Sequence, residues 1–350
     1  MTEQTTLDVV AVLDAHRFDE ASLERYLTER AEGFVSPLSV TQFQGGMSNP
    51  TFMLTDGNGT RYVLRKKPPG KLLPSAHAVD REYRVITALQ DTDVPVPRTL
   101  ALCEDERVIG TAFYVMAHVE GRVFIDPRVP GVSPGERAAI YDGMNDAMAA
   151  LHNVDYQAVG LEGFGRVGGY CQRQVKRWSS QYEASKTDEL VAMEKLMAWL
   201  PDNMPSADLT SVVHGDYRLG NIIFHPTEPK VLAVLDWELS TLGHPLADLA
   251  YNCLQYYMTD ERGDLSDPEL ESIGIPGEAD YLKAYCARTG RDHVEDWRFF
   301  LVLSLFRLAA ITQGVYYRGL QGNASDPSAL QRKDKCRILS SIAWKLVESG

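Results

Sequence analysis

Cysteines are few, and none are paired at a metal or redox spacing. The five, Cys103, Cys171, Cys253, Cys286 and Cys336, are scattered and odd in number. That argues against a disulfide framework or a zinc site and suits a reducing compartment. Basic charge is also scarce: Lys and Arg total 35 against 48 Asp and Glu, a formal net charge of -13. Non-specific nucleic-acid binding needs the opposite balance, so no nucleic-acid partner is expected. The start MTEQTTLDVVAVLDAH has neither a basic opening nor a long apolar run, and is no secretory signal. The most apolar stretch, FFLVLSLFRLAAI, carries Arg307 and is too short to span a bilayer. It reads as a buried helix of a soluble protein, so no membrane partner and a cytoplasmic setting are expected. No internal repeat or low-complexity linker is present.

What is there supports a sizeable core. The chain has 350 residues and 44% hydrophobic content, enough for two lobes. FDEASLERYLTER spells a surface helix capped by Asp19, with Leu23, Tyr26 and Leu27 on one face. Short β-branched or aromatic runs follow, LSVTQFQ, PTFMLT and RYVLRKK, separated by GGMSN and DGNG. They predict an antiparallel meander. A helix with Val79, Tyr83, Ile86 and Leu89 on one stripe comes next, then strands in PVPRTLALCED and AFYVMAHV. Beyond VEGRVF the chain turns helical. Ser133, Pro134 and Glu136 spell a capped helix start, followed by the stripe Ile140, Met144, Met148 and Leu151. The expected division is a sheet-rich N-lobe over residues 1–118 and a helical C-lobe over 119–350.

One segment interrupts the helices: VVHGDYRLGNIIFHPTEPKVLAVLDWE. NIIF and VLAVLD read as two strands around a proline-containing turn. If they pair antiparallel, Asn221, starting the first, and Asp236, ending the second, stand at the same end of the ladder. Asp216 lies five residues before Asn221, on the loop entering the hairpin. Asp and Asn are common in turns, and any one alone would mean no more than that. Convergent hard oxygen donors instead suit Mg²⁺ or Mn²⁺, completed by water and phosphate.

The spelling H-G-D-x-x-x-x-N, a hairpin, then D-W resembles the catalytic segment of protein-kinase-like phosphotransferases. HGDYRLGN resembles the form found in the aminoglycoside phosphotransferase and choline kinase superfamily. The continuation LDWELSTLGHPLADLAYN resembles the subgroup of kinase-like domains fused to acyl-CoA dehydrogenases in animals and free-standing in bacteria. The resemblance implies an α+β, bilobal protein-kinase-like fold, with an antiparallel-sheet N-lobe and a mostly helical C-lobe. It implies that Asp216 is the catalytic base or orients the acceptor hydroxyl, that Asn221 and Asp236 hold Mg²⁺, and that His214 orients the loop. The N-lobe would bind ATP. Gly45 and Gly46 would let backbone approach the phosphates, with Ser48 and Asn49 donating hydrogen bonds. Arg65 in YVLR stands where the family usually has Lys, and Lys66 should point to the other face. Glu82 is the expected ion-pair partner of Arg65. The backbone from Met116 to His118 resembles the adenine-binding hinge. In GHPLADLAYN, His244 replaces an Asp frequent in the subgroup, and Asp248 is expected to support the catalytic loop.

The implied activity is ATP- and Mg²⁺-dependent transfer of the γ-phosphate to a hydroxyl of a small metabolite. The subgroup points to a hydroxyacyl-CoA or hydroxy acid; the wider superfamily points to aminoglycosides, choline or homoserine. Arg173, Lys176, Arg177 and Trp178 on one helix could receive an anionic group, though such clusters are commonly solvated helix faces. Two alternatives stand beside a metabolite kinase: an antibiotic phosphotransferase and a catalytically silent nucleotide-binding pseudokinase. A metal-dependent hydrolase is opposed by the meander and the glycine-rich turn.

Overall fold

The computed structural model describes residues 9–44, 49–68, 78–260, 263–265, 269–324 and 328–349. In chain order the strands are β1 Val9–Val10, β2 Ser39–Phe43, β3 Thr51–Thr55, β4 Arg61–Lys66, β5 Thr99–Cys103, β6 Phe113–Ala117, β7 Ser211–Val213, β8 Ile222–Phe224, β9 Val231–Val234 and β10 Thr241–Gly243. Two short strands, β11 Thr259–Asp260 and β12 Gly263–Asp264, pair with each other. The α-helices are α1 Glu20–Arg30, α2 Val79–Leu89, α3 Pro134–Asn153, α4 Tyr170–Ser185, α5 Val191–Asp202, α6 Pro245–Cys253, α7 Glu278–Thr289, α8 Trp297–Leu320 and α9 Lys335–Glu348. Two compact units result. The first gathers Met1–Ile125, Gln157–Leu161 and Leu219–Ser240; the second gathers Asp126–Tyr156, Glu162–Arg218 and Thr241–Gly350.

The first unit is built on an antiparallel sheet of order β1-β2-β3-β4-β6-β5. Strand alternation sorts its side chains onto two faces. Phe52, Leu54, Tyr62 and Leu64 form a core with Leu23 and Leu27 of α1 and with Phe113 and Val115 of β6. Asp19 caps α1 by accepting from the Ser22 amide at 3.0 Å. The β3–β4 turn is held by Asp56, whose Oδ1 accepts from the Asn58 and Thr60 amides, both at 2.9 Å. Lys66 follows Leu64 by two positions and so shares its face. Its Nζ lies 5.4 Å and 5.7 Å from the Phe18 and Phe52 ring centroids. Arg65 takes the opposite face, as alternation requires.

The same unit contains the β8–β9 hairpin, paired Ile222 with Val234. The Arg122 amide donates to the Phe224 carbonyl and the Phe224 amide to that of Arg122, at 2.8 Å and 2.9 Å. The Val234 amide donates to Pro95 at 2.8 Å.

The second unit is mostly helical. Ser133 caps α3, accepting from the Glu136 amide at 3.2 Å, and Ile140, Met144, Met148 and Leu151 are all buried. Its innermost helix is α8, apolar nearly all round, which packs against α4, α6 and α9. The apolar run Phe299 to Ile311 is only part of it. The helix has 24 residues and is long and apolar enough to cross a membrane, contrary to the length expected from the run alone. The polar Thr312 and Gln313 continue it because both are buried and hydrogen-bonded within the protein. Of its most apolar window, 72% is buried inside the protein, as in a core helix. All five cysteines are free and buried.

Candidate active site

In the first unit the hairpin brings its two ends together. Asn221 does not start a strand. It closes a 3₁₀ turn, Leu219–Asn221, and β8 begins at Ile222. Asp236 likewise stands two residues past the end of β9, in the left-handed conformation at φ 67°. Such a backbone is uncommon for a residue with a side chain and recurs at functional sites. The ends still meet, since the Leu235 amide donates to the Asn221 carbonyl at 2.8 Å.

Asp236 faces Arg65 of β4. Its Oδ1 accepts from Nη1 at 3.3 Å and Nη2 at 3.2 Å. The same guanidinium places Nε 3.2 Å from Glu82 Oε2, close enough for an ion pair but without hydrogen-bond alignment. Glu82 lies on the buried face of α2 and is 1% exposed. A carboxylate that deep needs donors. Asn49 Nδ2 reaches Oε1 at 2.7 Å and the Tyr114 hydroxyl reaches Oε2 at 2.9 Å. Burial raises the Glu82 pKa, and Arg65 opposes it. Burial also works against the Arg65 cation, but Tyr114, Glu82 and Asp236 outweigh it and keep the guanidinium charged. Asn49, expected to donate to phosphate, gives one amide hydrogen to Glu82. Gly45, Gly46 and Ser48 lie outside the described residues.

Met116, on β6, pairs with Val63 and is buried. The amides of Ala117 and His118 donate within the unit, to Arg98 at 2.7 Å and Arg61 at 3.2 Å. Burial, with Arg61 adding to it, lowers the pKa of His118. Asn221 and Asp236 fit Mg²⁺ by donor chemistry: two hard oxygens at one hairpin end, a set suited to an ion that completes its shell with water and phosphate.

The second unit holds the loop that follows β7. Asp248 of α6, 3% exposed, accepts from the His214 amide at 2.7 Å through Oδ2 and from the Gly215 amide at 2.8 Å through Oδ1. His152 Nε2 also lies 3.4 Å from Oδ2, and its Nδ1 lies 2.7 Å from the Tyr285 hydroxyl. Burial alone would raise the Asp248 pKa; the bonds from His152 and the His214 amide outweigh it and hold the group below its ordinary 3.8. Gly215 sits at φ 84°, which explains Gly between His and Asp. His214 is fully buried, and its Nδ1 accepts from the Asp216 amide at 3.2 Å, so its proton sits on Nε2. Tyr217 anchors the loop, donating to the Met144 carbonyl at 2.7 Å.

Asp216 is left partly exposed, its side chain 21% accessible. Its Oδ1 accepts from the Tyr251 hydroxyl at 2.8 Å, and its Oδ2 from Arg218 Nε at 3.3 Å. Arg307 of α8 donates to the Gly215 carbonyl at 2.7 Å. Tyr251 and Arg307 were not singled out in the sequence. Tyr251 had a signal, since three residues after Asp248 it shares a helix face with it. Arg307 had none beyond being a charge inside an apolar run.

His244 takes the N-cap of α6, accepting from the Leu246 amide at 3.3 Å. It stacks on Phe300 with centroids 4.5 Å apart. Burial pushes its pKa down to about 4. On α4, Trp178 is buried and donates to Gln174, while Arg173 donates to the carbonyls of Gly168 and Arg166. Half of that expected anion cluster is therefore used in holding the helix and its preceding loop.

The chain matches the phosphotransferase enzyme family (APH) over residues 39–298. It is 49% identical over 354 residues to acyl-CoA dehydrogenase family member 11 of Rattus norvegicus, covering 99% of this chain and 45% of the rat protein. The chain thus spans less than half the length of the curated relatives it matches. A Ralstonia eutropha structure named among the aminoglycoside phosphotransferases superposes with a TM-score of 0.88 at 50% identity, covering 95% of this chain and 99% of that one. An aminoglycoside phosphotransferase variant, solved as a ternary complex with AMP-PNP and hygromycin B, shares the fold at a TM-score of 0.58 and 17% identity, covering 94% and 98% of the two chains. The chain belongs to the phosphotransferase enzyme family and has its kinase-like α+β fold.

Proposed function

We propose that the protein is an ATP- and Mg²⁺-dependent small-molecule kinase that phosphorylates a hydroxyl group. One observation carries the reading: Asp216, partly exposed, stands on a loop whose amides are pinned by a buried carboxylate. Phosphoryl transfer relies on positioning and charge neutralisation rather than on a strong nucleophile. Asp216 receives the acceptor's hydroxyl proton as the new oxygen–phosphorus bond forms and the bond to departing ADP breaks. Asn221 and Asp236 hold the metal, which when bound neutralises phosphate charge. Arg65 and Glu82 serve the nucleotide side, Arg65 in the role usually taken by Lys.

A hydroxyacyl-CoA or free hydroxy acid is the proposed acceptor. Its support is the likeness to proteins named as acyl-CoA dehydrogenase family members. Aminoglycoside-type phosphotransfer is the alternative, supported by the names of structural neighbours. A nucleotide-binding protein without transfer activity is the other; Arg65, tied to Asp236, favours it. A phosphotransfer screen with MgATP over hydroxyacyl-CoA thioesters, hydroxy acids and aminoglycosides tests these readings. Turnover confined to the first two classes is expected. Turnover confined to aminoglycosides contradicts the proposed acceptor, and none at all favours the silent protein.

A further inference from the structure

We propose that Tyr251 is a positioning residue for Asp216, and that Arg307 holds the pair in register. The inference rests on the reading of Asp216 given above. A carboxylate on a short side chain turns easily about its last torsion, and a base must present one lone pair along one line. The Tyr251 hydroxyl takes up Oδ1 at 2.8 Å and, with Arg218 Nε on Oδ2 at 3.3 Å, sets the plane of the carboxylate. Burial, then Asp216, raises the Tyr251 pKa, so the phenol keeps its proton and donates.

Arg307 ties this contact to the loop. Its Nη2 binds the Gly215 carbonyl at 2.7 Å, one residue before Asp216. Its guanidinium carbon lies 5.0 Å from the Tyr251 ring centroid and 5.7 Å from that of Trp178. A cation over an aromatic face is attracted to it. One side chain from the core helix α8 therefore clamps both the loop backbone and the ring that carries the hydroxyl. Asp248 contributes differently: it fixes the backbone of His214 and Gly215, whereas Tyr251 fixes the carboxylate itself.

Tyr251→Phe isolates the effect, because it removes one oxygen and leaves the ring under Arg307. ADP formation from MgATP is measured with 3-hydroxybutyryl-CoA and with hygromycin B as acceptors and, without either, with water. The variant should lose about tenfold in kcat, while the Kd for MgATP and the melting temperature stay at wild-type values. Added to Asp216→Asn, it should cause no further loss, since the group it positions is already gone. Arg307→Lys should lower kcat less than Tyr251→Phe. A Tyr251→Phe rate within about twofold of wild type, beside an inert Asp216→Asn, overturns the positioning role alone. So does a loss that multiplies in the double variant, or one matched by weaker MgATP binding. Full turnover in Asp216→Asn, or no ADP from the wild type with 3-hydroxybutyryl-CoA, hygromycin B or water, overturns the reading of Asp216 and this inference with it.

Discussion

The Asp216 carboxylate receives hydrogen bonds from a neutral phenol and from an arginine on its own loop, whereas Asp236 meets a guanidinium carried by a strand of the sheet. The backbones differ as well. The loop before Asp216 is pinned through two amides to a carboxylate that is 3% exposed. Asp236 sits in a left-handed bend, its side chain 35% exposed. The first arrangement fixes a group before any ligand arrives. The second holds a partly exposed carboxylate against a guanidinium that is itself only 12% exposed and also faces Glu82. In the proposed mechanism the first carboxylate meets the acceptor hydroxyl, and the second leaves its arginine to take the metal.

The sharpest way to break this contrast is to neutralise each carboxylate in turn. Asp216→Asn should cost about 10²–10⁴-fold in kcat and leave MgATP affinity unchanged, as read by calorimetry and single-turnover rates. Asp236→Asn should instead lose the Mg²⁺-dependent part of nucleotide binding along with turnover. Equal losses of affinity in both variants would erase the distinction.

Asp248→Asn comes next in size. The amide cannot accept both loop N–H groups as a carboxylate does, and a buried donor is left opposed. About 3 kcal/mol of stability should be lost in denaturant unfolding at pH 7. The wild type should lose the contribution of Asp248 as pH drops below 3.8. Its folded pKa lies lower than the unfolded one, so the unfolded chain takes up the proton first.

His244 gives a comparable slope in a different window. Its folded pKa of about 4 lies below its ordinary 6.5. Between those values the unfolded chain binds the proton and the folded chain does not, so stability should fall as pH drops through this range. The full effect is at most about 3 kcal/mol. His244→Asn keeps a capping side chain and should flatten that slope. A slope unchanged in this variant would assign it to another group.

The smallest expected change is Arg65→Lys. The ammonium keeps the charge but loses the fork that reaches Glu82 and Asp236 together. A change in kcat/KM for ATP of about tenfold or less is expected. A loss as large as that of Asp236→Asn would make Arg65 part of the machinery that does not exchange.

Much of this was legible because the signals are local. The Asp19 and Ser133 caps, the DGNG turn, the α3 stripe and the facing of Arg65 and Lys66 all follow from spacing within one element. The hairpin was legible for the same reason, though its end residues lie just outside the strands. The partners of the site were harder to read. Arg65 and Asp236 are 171 residues apart in the chain, and Arg307 and Gly215 are 92 apart. No periodicity reports such a meeting. Asn49 shows the same limit: its bond to the buried Glu82, 33 residues away, has no local signal. His244, which stands where the subgroup frequently has Asp, caps its helix by accepting from the Leu246 amide, a contact local enough to follow from its place before Pro245.

Metal-dependent nucleotide binding is the claim on which the rest depends, and thermal unfolding with ATP, with and without Mg²⁺, tests it most directly. ATP with Mg²⁺ should raise the melting temperature of the wild type well beyond ATP alone, and Asp236→Asn should abolish that difference. A wild type whose melting temperature is unmoved by ATP and Mg²⁺ together would contradict the account.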